Sequence, residues 1–488
     1  MFADPTFYRL CRDTFTRRIG DYGYISSQLT KHDRLYDKSG AAFLGSISRE
    51  PLSFEEIVGL ASAHFVNPPL DDLLTDLNAF LTELEQDHYI VSGESPRKLD
   101  IKEPRFSYSS ANPKTTVYNF LQSTDDIKYP DTADFLHSIL QNSPRVFSCQ
   151  IELTNRCNER CLHCYIPHQA KNDLLETPLI LDVLDQLHEM DTMGLSLSGG
   201  EALMHPDFFS IVRHARKLDF SITILSNLTL LTAEHIALFK DINPSFIQTS
   251  LYSMDADEHD TITKQPHSHK KTLAALEALI AADIPVQISC PVMRTNLHSY
   301  RHVVQWAQAH RCKAQTDFIM MAKTDFSTDN LNERLSLQET ELLIRDILEV
   351  DIDYDALLST PVDVPAPEKE AKKPICGVGL DNICLAGNGT YYPCSGWQGF
   401  PIGDARKERL ADVWQNSPAL KQLRAITKGS FPACITCADK EFCAMCLVRN
   451  FNESSGDMFL INRHFCDVAH INCELVEDHK RKLVKPER

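Results

Sequence analysis

The fold is decided by the stretch Ile151-Glu-Leu-Thr-Asn-Arg-Cys157-Asn-Glu-Arg-Cys161-Leu-His-Cys164-Tyr165. Ser148–Thr154, which overlaps the start of this stretch, reads as a strand. Three cysteines spaced CxxxCxxC then fall in the loop that leaves this strand. Loops at the C-terminal ends of barrel strands are where α/β barrels place their chemistry. Thiolates are soft donors, suited to an iron–sulfur cluster or to zinc. A four-iron cubane held by three cysteines keeps one iron open, whereas a four-cysteine site is closed. A zinc loop usually pairs CxxC with a second pair ~12–20 residues away, and none lies near Cys164.

Outward from this loop, residues 146–350 alternate strand and helix patterns. Strands are expected at Gly194–Ser198, Ser221–Ser226, Phe246–Leu251, Pro285–Cys290 and Ala314–Met320, with helices between them such as Leu179–Met190 and Lys271–Ala282. This alternation implies parallel strands joined by right-handed crossovers. About six units fall short of the eight of a closed barrel. The predicted class is α/β, with a partial (β/α)6 barrel at its centre.

Composition sets the surroundings. The chain has 488 residues, 43% hydrophobic and 24% charged, which suits a globular protein of several domains. Acids exceed bases 67 to 49, for a net charge of −18. That balance disfavours nucleic acid and anionic membrane surfaces as partners. The N-terminus lacks the apolar core of a signal peptide, and no apolar run of about 18 residues occurs. A cytoplasmic chain with reduced thiols is therefore expected. Of sixteen cysteines, three lie between Cys157 and Cys164 and eight between Cys376 and Cys466. Clustered reduced thiols read first as metal ligands. Cys11, Cys149, Cys290, Cys312 and Cys473 lie outside every motif and read as core or incidental residues.

The first cluster resembles the radical S-adenosylmethionine (SAM) superfamily, whose signature is CxxxCxxC with an aromatic residue before the last cysteine; His163 takes that place. The resemblance spans residues 146 to about 325. It implies that Cys157, Cys161 and Cys164 hold a [4Fe-4S] cluster and that SAM chelates its open iron. Leu-Ser-Gly199-Gly200-Glu201, at the end of the second strand, matches the motif that holds the SAM amino group. Glycines there permit close backbone approach, and Glu201 supplies negative charge for an ammonium. Ser226 and Asn227 match a position near the ribose, and Ser250 matches a further SAM contact. Many relatives read Ser-Leu-Asp at the last place, where this chain has Tyr252. The reaction implied is cleavage of SAM to a 5′-deoxyadenosyl radical that removes a hydrogen atom from an unactivated carbon.

The second group runs Cys376-x12-Gly389-x4-Cys394, then Cys434-x2-Cys437-x5-Cys443-x2-Cys446, then Cys466. Five residues between two CxxC pairs are too few for the usual zinc-finger hairpin. With Pro401-Ile-Gly-Asp404 leading to Leu410-Ala-Asp-Val-Trp414, it resembles the SPASM domain, which carries two auxiliary [4Fe-4S] clusters. By that resemblance Cys434, Cys437, Cys443 and Cys466 hold one cluster, and Cys376, Cys394 and Cys446 the other. Cys384 is the candidate fourth ligand of the latter, and a buried core thiol is the alternative reading. The family more often has three residues where Cys443-x2-Cys446 has two.

Residues 1–95 read as a small α/β unit. Strands are expected at Thr6–Cys11 and Tyr22–Gln28, and helices at Ser39–Ile47, Ser53–Phe65 and Pro69–Gln86, the second opened by a Ser53/Glu56 capping box. The pattern resembles the RiPP recognition element, a PqqD-like domain that binds a leader peptide by strand addition. The expected surface is Tyr22–Gln28 with the exposed side of Asp71–Glu85. A DNA-binding helix-turn-helix is disfavoured by 8 Lys/Arg against 15 Asp/Glu in this unit. A docking domain without a ligand is a further alternative. Residues 96–145 read as a linker with a short docking helix at Asp131–Gln141, 351–375 as a solvated linker, 376–473 as the SPASM domain and 474–488 as a solvated basic tail.

Together the resemblances imply a radical SAM peptide maturase. Its partners would be the leader and core of a ribosomally made precursor peptide and an external electron donor such as flavodoxin or ferredoxin. The expected chemistry is a cysteine thioether of the sactipeptide or ranthipeptide type. The alternatives are a carbon–carbon or carbon–oxygen crosslink, epimerisation or dehydrogenation, and, in another class, an iron–sulfur adaptor without catalysis.

Overall fold

The computed structural model describes residues 6–109, 136, 138–350, 367–443 and 445–484. At its centre six parallel strands run in the order β7 (Ser148–Thr154), β8 (Gly194–Gly199), β9 (Ser221–Leu225), β10 (Phe246–Ser250), β11 (Val286–Pro291) and β12 (Lys313–Asp317). Each lies within a few residues of its expected span. Leu195, Leu197, Ile222, Ile224, Ile247 and Ile288 are buried with the apolar faces of the crossover helices. The alternate positions are polar, and Gln150 donates to Ser198 (2.8 Å) and Gln287 to Gln315 (2.5 Å). Period-two alternation thus gives the sheet one dry face and one hydrogen-bonding face.

The sheet does not stop at β7. Strand β13 (Asn382–Leu385) pairs with it in parallel, Cys384 opposite Gln150, and β14 (Thr390–Tyr392) and β15 (Gly403–Asp404) continue antiparallel. The C-terminal region therefore extends the core sheet to nine strands. Trp397, fully buried, stacks on Phe400 and meets Phe451 edge-on beneath this extension.

The N-terminal unit holds two three-stranded sheets, one of β1 (Phe7–Leu10) between β5 (Leu52–Ser53) and β6 (Ile90–Gly93), the other of β2 (Thr14–Ile19), β3 (Tyr22–Ser27) and β4 (Asp33–Tyr36). The expected capping box forms at helix Phe54–Ser62, with Ser53 and Glu56 bonded reciprocally. Helix Leu70–Gln86 buries Leu73, Leu77, Phe80, Leu81 and Leu84, each contributing roughly 1.5–3 kcal/mol. Leu70, at its first turn, is exposed.

Three expectations are corrected here. Tyr22–Gln28 is not an edge: β3 is bonded on both sides, and the edge strands are β2 and β4, the latter too short and too evenly half-buried to show a period. The basic tail is not solvated along its length. Helix Arg463–Val484 runs through it and packs on helix Leu337–Val350, burying Leu475 and Val476. The linker before Cys376 is docked at its end, where helix Pro367–Ala371 carries Glu370, paired with Lys428 and Lys373. Most of the expected helix at 131–141 lies outside the described residues.

The N-terminal unit is seated on the rim where the core strands begin. Arg17 donates to the Thr192 and Asp219 carbonyls (3.1 and 2.5 Å), Asn243 donates to Asp13 (2.9 Å), and Gln28 bonds Ser221. Its contacts reach past residue 95: Arg9 pairs with Asp100 and with the buried Glu103.

Candidate metal centres

The CxxxCxxC loop lies on the opposite rim, after β7, and is tied down on every side. Gly200 N–H donates to Thr154 (2.8 Å) and Glu201 N–H to Arg156 (2.9 Å). Arg160 and Leu162 N–H donate to the Thr263 and Ile262 carbonyls at the end of helix Ala256–Thr263. Asn158 bonds Thr229 (2.7 Å) and accepts from Asn227 (2.9 Å).

The two glycines serve this packing. Gly199 has φ +144°, and a Cβ there would sit 2.0 Å from the Thr154 carbonyl oxygen. A Cβ on Gly200 would meet the Arg156 and Asn155 carbonyls at 2.3 and 2.5 Å. The close approach is thus to the chain's own cysteine loop. Glu201, 1% exposed, accepts from Ser226 (2.6 Å), Asn227 N–H (2.7 Å) and Leu203 N–H (3.0 Å). Three donors leave its carboxylate about one acceptor site for a further cation. Asn227 is likewise engaged with Asn158, inside the loop.

Burial pushes the Cys157 thiol up to about 11 and Cys161 well above its usual range, where Glu159, Cys164 and Cys157 add charge repulsion. Such thiols wait for a cation that stabilises their ionised form. Desolvation lowers the pKa of the half-buried His163 to about 4, and its Nδ1 is buried with no hydrogen-bond partner among the described residues. Among the described residues no three His, Cys, Asp or Glu side chains gather around a single ion, the arrangement of a mononuclear zinc site. The donor set is soft, comes from one loop and stands beside an unsatisfied polar atom. It fits a cluster with a bound organic ligand.

In the C-terminal region the thiols form two neighbourhoods. Cys376 is pushed up to about 11 by burial and by facing Cys446 and Cys394. Cys443 is raised by burial and then by Cys466, Cys434 and Cys437. Cys384 is buried on β13, and is raised by burial and then by Glu152, Cys149 and, after them, Cys394. Cys11, Cys149, Cys290 and Cys312 are buried core thiols.

Residues 151–307 match the family described as the Radical SAM superfamily, and residues 376–439 match SPASM, an iron-sulfur cluster-binding domain. The chain carries a radical SAM core. Among curated proteins, it is 25% identical over 349 residues to the AdoMet-dependent heme synthase of Methanosarcina barkeri, covering 67% of this chain and 97% of that one. It is 24% identical over 302 residues to the PqqA peptide cyclase of Rhodopseudomonas palustris, covering 60% and 79%. Among solved structures, Streptococcus suis SuiB bound to its precursor peptide SuiA superposes with a TM-score of 0.58 at 12% identity, covering 93% of this chain and 99% of that one. Residues 151–307 thus match a radical SAM core and residues 376–439 a SPASM extension, domains that imply [4Fe-4S] clusters and SAM.

Several residues of this centre escaped the sequence reading. Asn158 and Thr229 carry no motif. Glu152 had a signal, a lone acid inside the apolar run Ile151-Glu-Leu153. It is 1% exposed, accepts from Gln398 (2.9 Å), and burial raises its pKa to about 7. No helix among the described residues is long and apolar enough to cross a membrane.

Proposed function

We propose that this radical SAM enzyme modifies a ribosomally synthesised precursor peptide, joining a cysteine sulfur to a carbon as a thioether. The observation that carries the reading is the N-terminal unit. Its edge strand β4 lies beside helix Leu70–Gln86, with Tyr36 edge-on to Phe80 (4.9 Å) and Arg34 paired with Glu83 and Asp87. An edge strand flanked by a helix suits strand addition by an extended peptide. The peptide cyclase among the relatives supports a peptide substrate, and the likeness to SuiB extends over 93% of the chain, the N-terminal unit included. The heme synthase accounts for 67% of it.

In this reading residues 1–95 are a PqqD-like recognition element, extended by the docked segment through Glu103. Cys157, Cys161 and Cys164 hold the SAM-site cluster. Cys376, Cys384, Cys394 and Cys446 hold one auxiliary cluster, and Cys434, Cys437, Cys443 and Cys466 the other, making three. When bound, the reduced cluster and SAM supply one-electron chemistry able to take a hydrogen atom from an unactivated carbon. The chain's own residues orient and shield. Gly199 and Gly200 brace the cysteine loop, and Glu201 fixes Ser226 and Asn227 while offering its remaining acceptor site to the SAM ammonium. His163 presents Nδ1, and Ser250 lines the same rim. The polar row Gln150, Gln248, Gln287 and Gln315 supplies hydrogen bonds to a peptide. Flavodoxin or ferredoxin delivers the electron.

Reconstitution under argon with SAM and dithionite tests the enzyme, and absence of 5′-deoxyadenosine would refute it. Co-expression with a neighbouring small peptide gene tests the rest. A thioether lowers the peptide mass by two hydrogen atoms and removes one titratable thiol. Mass loss with every thiol still alkylatable would assign a carbon–carbon or carbon–oxygen crosslink or a dehydrogenation instead, which fragmentation of the peptide separates.

A further inference from the structure

Tyr252 stands where many relatives have an aspartate, and the structure gives it a place of its own. Its phenol, on a residue 3% exposed, lies 3.9 Å from Cys161 Sγ and 3.5 Å from His163 Nε2. The ring meets His163 edge-on at 5.1 Å and packs among Ile262, Met293 and Met320. The backbone is fixed as well: Tyr252 N–H donates to His259 Nδ1 (3.3 Å), and its carbonyl accepts from Asn296 (2.8 Å).

Among the described residues Tyr252 is the side-chain donor that reaches Cys161. A buried thiolate without a donor is costly. The phenol O–H donates toward Cys161 Sγ, and His163 Nε2 stands beside the same oxygen. Hydrogen bonds to ligand sulfurs favour the more negative, reduced state of a cluster and raise its potential. We infer that Tyr252 is a positioning residue for the SAM-site cluster, donating to the Cys161 thiolate and raising that cluster's reduction potential above what the bare loop would set. The inference rests on Cys157, Cys161 and Cys164 being cluster ligands.

The test is redox titration of the full-length, anaerobically reconstituted protein, followed by electron paramagnetic resonance of the cluster whose signal SAM perturbs. Tyr252→Phe is expected to shift that midpoint to more negative potential and to leave the other clusters unmoved, with iron content retained. Tyr252→His, which keeps a donor, is expected to recover part of the shift. An unchanged midpoint in Tyr252→Phe would overturn the inference. Should Tyr252→Phe fail to take up the cluster, 3-fluorotyrosine at position 252 decides, because it keeps the ring and makes the phenol a stronger donor. A shift to more positive potential supports the role, and no shift rejects it. The ligand reading fails separately, if Cys157→Ala keeps the SAM-perturbed signal.

Discussion

Gly200 is wedged against Arg156. The Arg156 carbonyl oxygen accepts the Glu201 N–H at 2.9 Å and lies 2.3 Å from where a Gly200 Cβ would be. Gly200→Ala must therefore push the start of the cysteine loop away from the strand that braces it. The expected result is loss of the SAM-site cluster, about four irons per chain, with the SPASM-bound iron retained. Iron analysis with Mössbauer spectroscopy checks this.

Cys157→Ala should act more narrowly. Iron should fall from about twelve to about eight per chain, and SAM cleavage should stop. Retained 5′-deoxyadenosine formation would remove Cys157 from the ligand set. Little iron with stoichiometric zinc in the wild type would remove the clusters altogether.

Glu201→Ala leaves three buried donors, from Ser226, Asn227 and Leu203, without an acceptor. Each orphaned donor costs about 1–3 kcal/mol. SAM affinity should fall at least about tenfold, which corresponds to 1.4 kcal/mol, while the cluster iron remains. Equilibrium dialysis with labelled SAM measures it.

Glu152 predicts a pH dependence. Burial raises its carboxyl from the usual 4.5 to about 7, against hydrogen bonds from Gly387 and Gln398. A raised carboxyl pKa favours the folded chain fully below 4.5, and the advantage is lost as pH rises through about 7. Glu152→Gln should therefore gain stability relative to wild type across that window, by up to about 3 kcal/mol at 1.36 kcal/mol per unit. Denaturant titrations at pH 5 and pH 8 give the difference. A protonated-carboxyl infrared band lost near pH 7, and absent from the variant, identifies the group.

Arg17 anchors the N-terminal unit to the strand-start rim through two core carbonyls. Arg17→Ala should lower stability by about 1–3 kcal/mol and leave peptide-free SAM cleavage unchanged, because the cysteine loop is on the other rim. A change in that cleavage rate would show that the two rims are coupled.

The core was legible because each of its strands is a local signal. Ser148–Thr154 and the five core strands after it recur between helical stretches, a local pattern that no tertiary context needed to override. The cysteine positions were legible for the same reason, since CxxxCxxC is contiguous. What the sequence hid was pairing at long range. Nothing local in Asn382–Leu385 says that it joins Ser148–Thr154. The edge strand Asp33–Tyr36 has four residues of equal half-burial and no alternation to read. The C-terminal basic residues looked solvated because the buried Leu475 and Val476 are a minority on an otherwise polar helix. The packing of Gly199 and Gly200 against the backbone of Thr154–Arg156 was not legible, because that contact is set by the fold and not by the local motif.

The join between β7 and β13 has a mechanical consequence. One strand carries the signature loop at its end and shares its hydrogen-bond ladder with the region that holds the remaining clustered thiols. Neither region can open without breaking main-chain bonds of the other, so they belong to one cooperative unit. Heat or protease will not release the C-terminal third as a folded fragment, and damage to iron at one end will be felt as loosened backbone at the other.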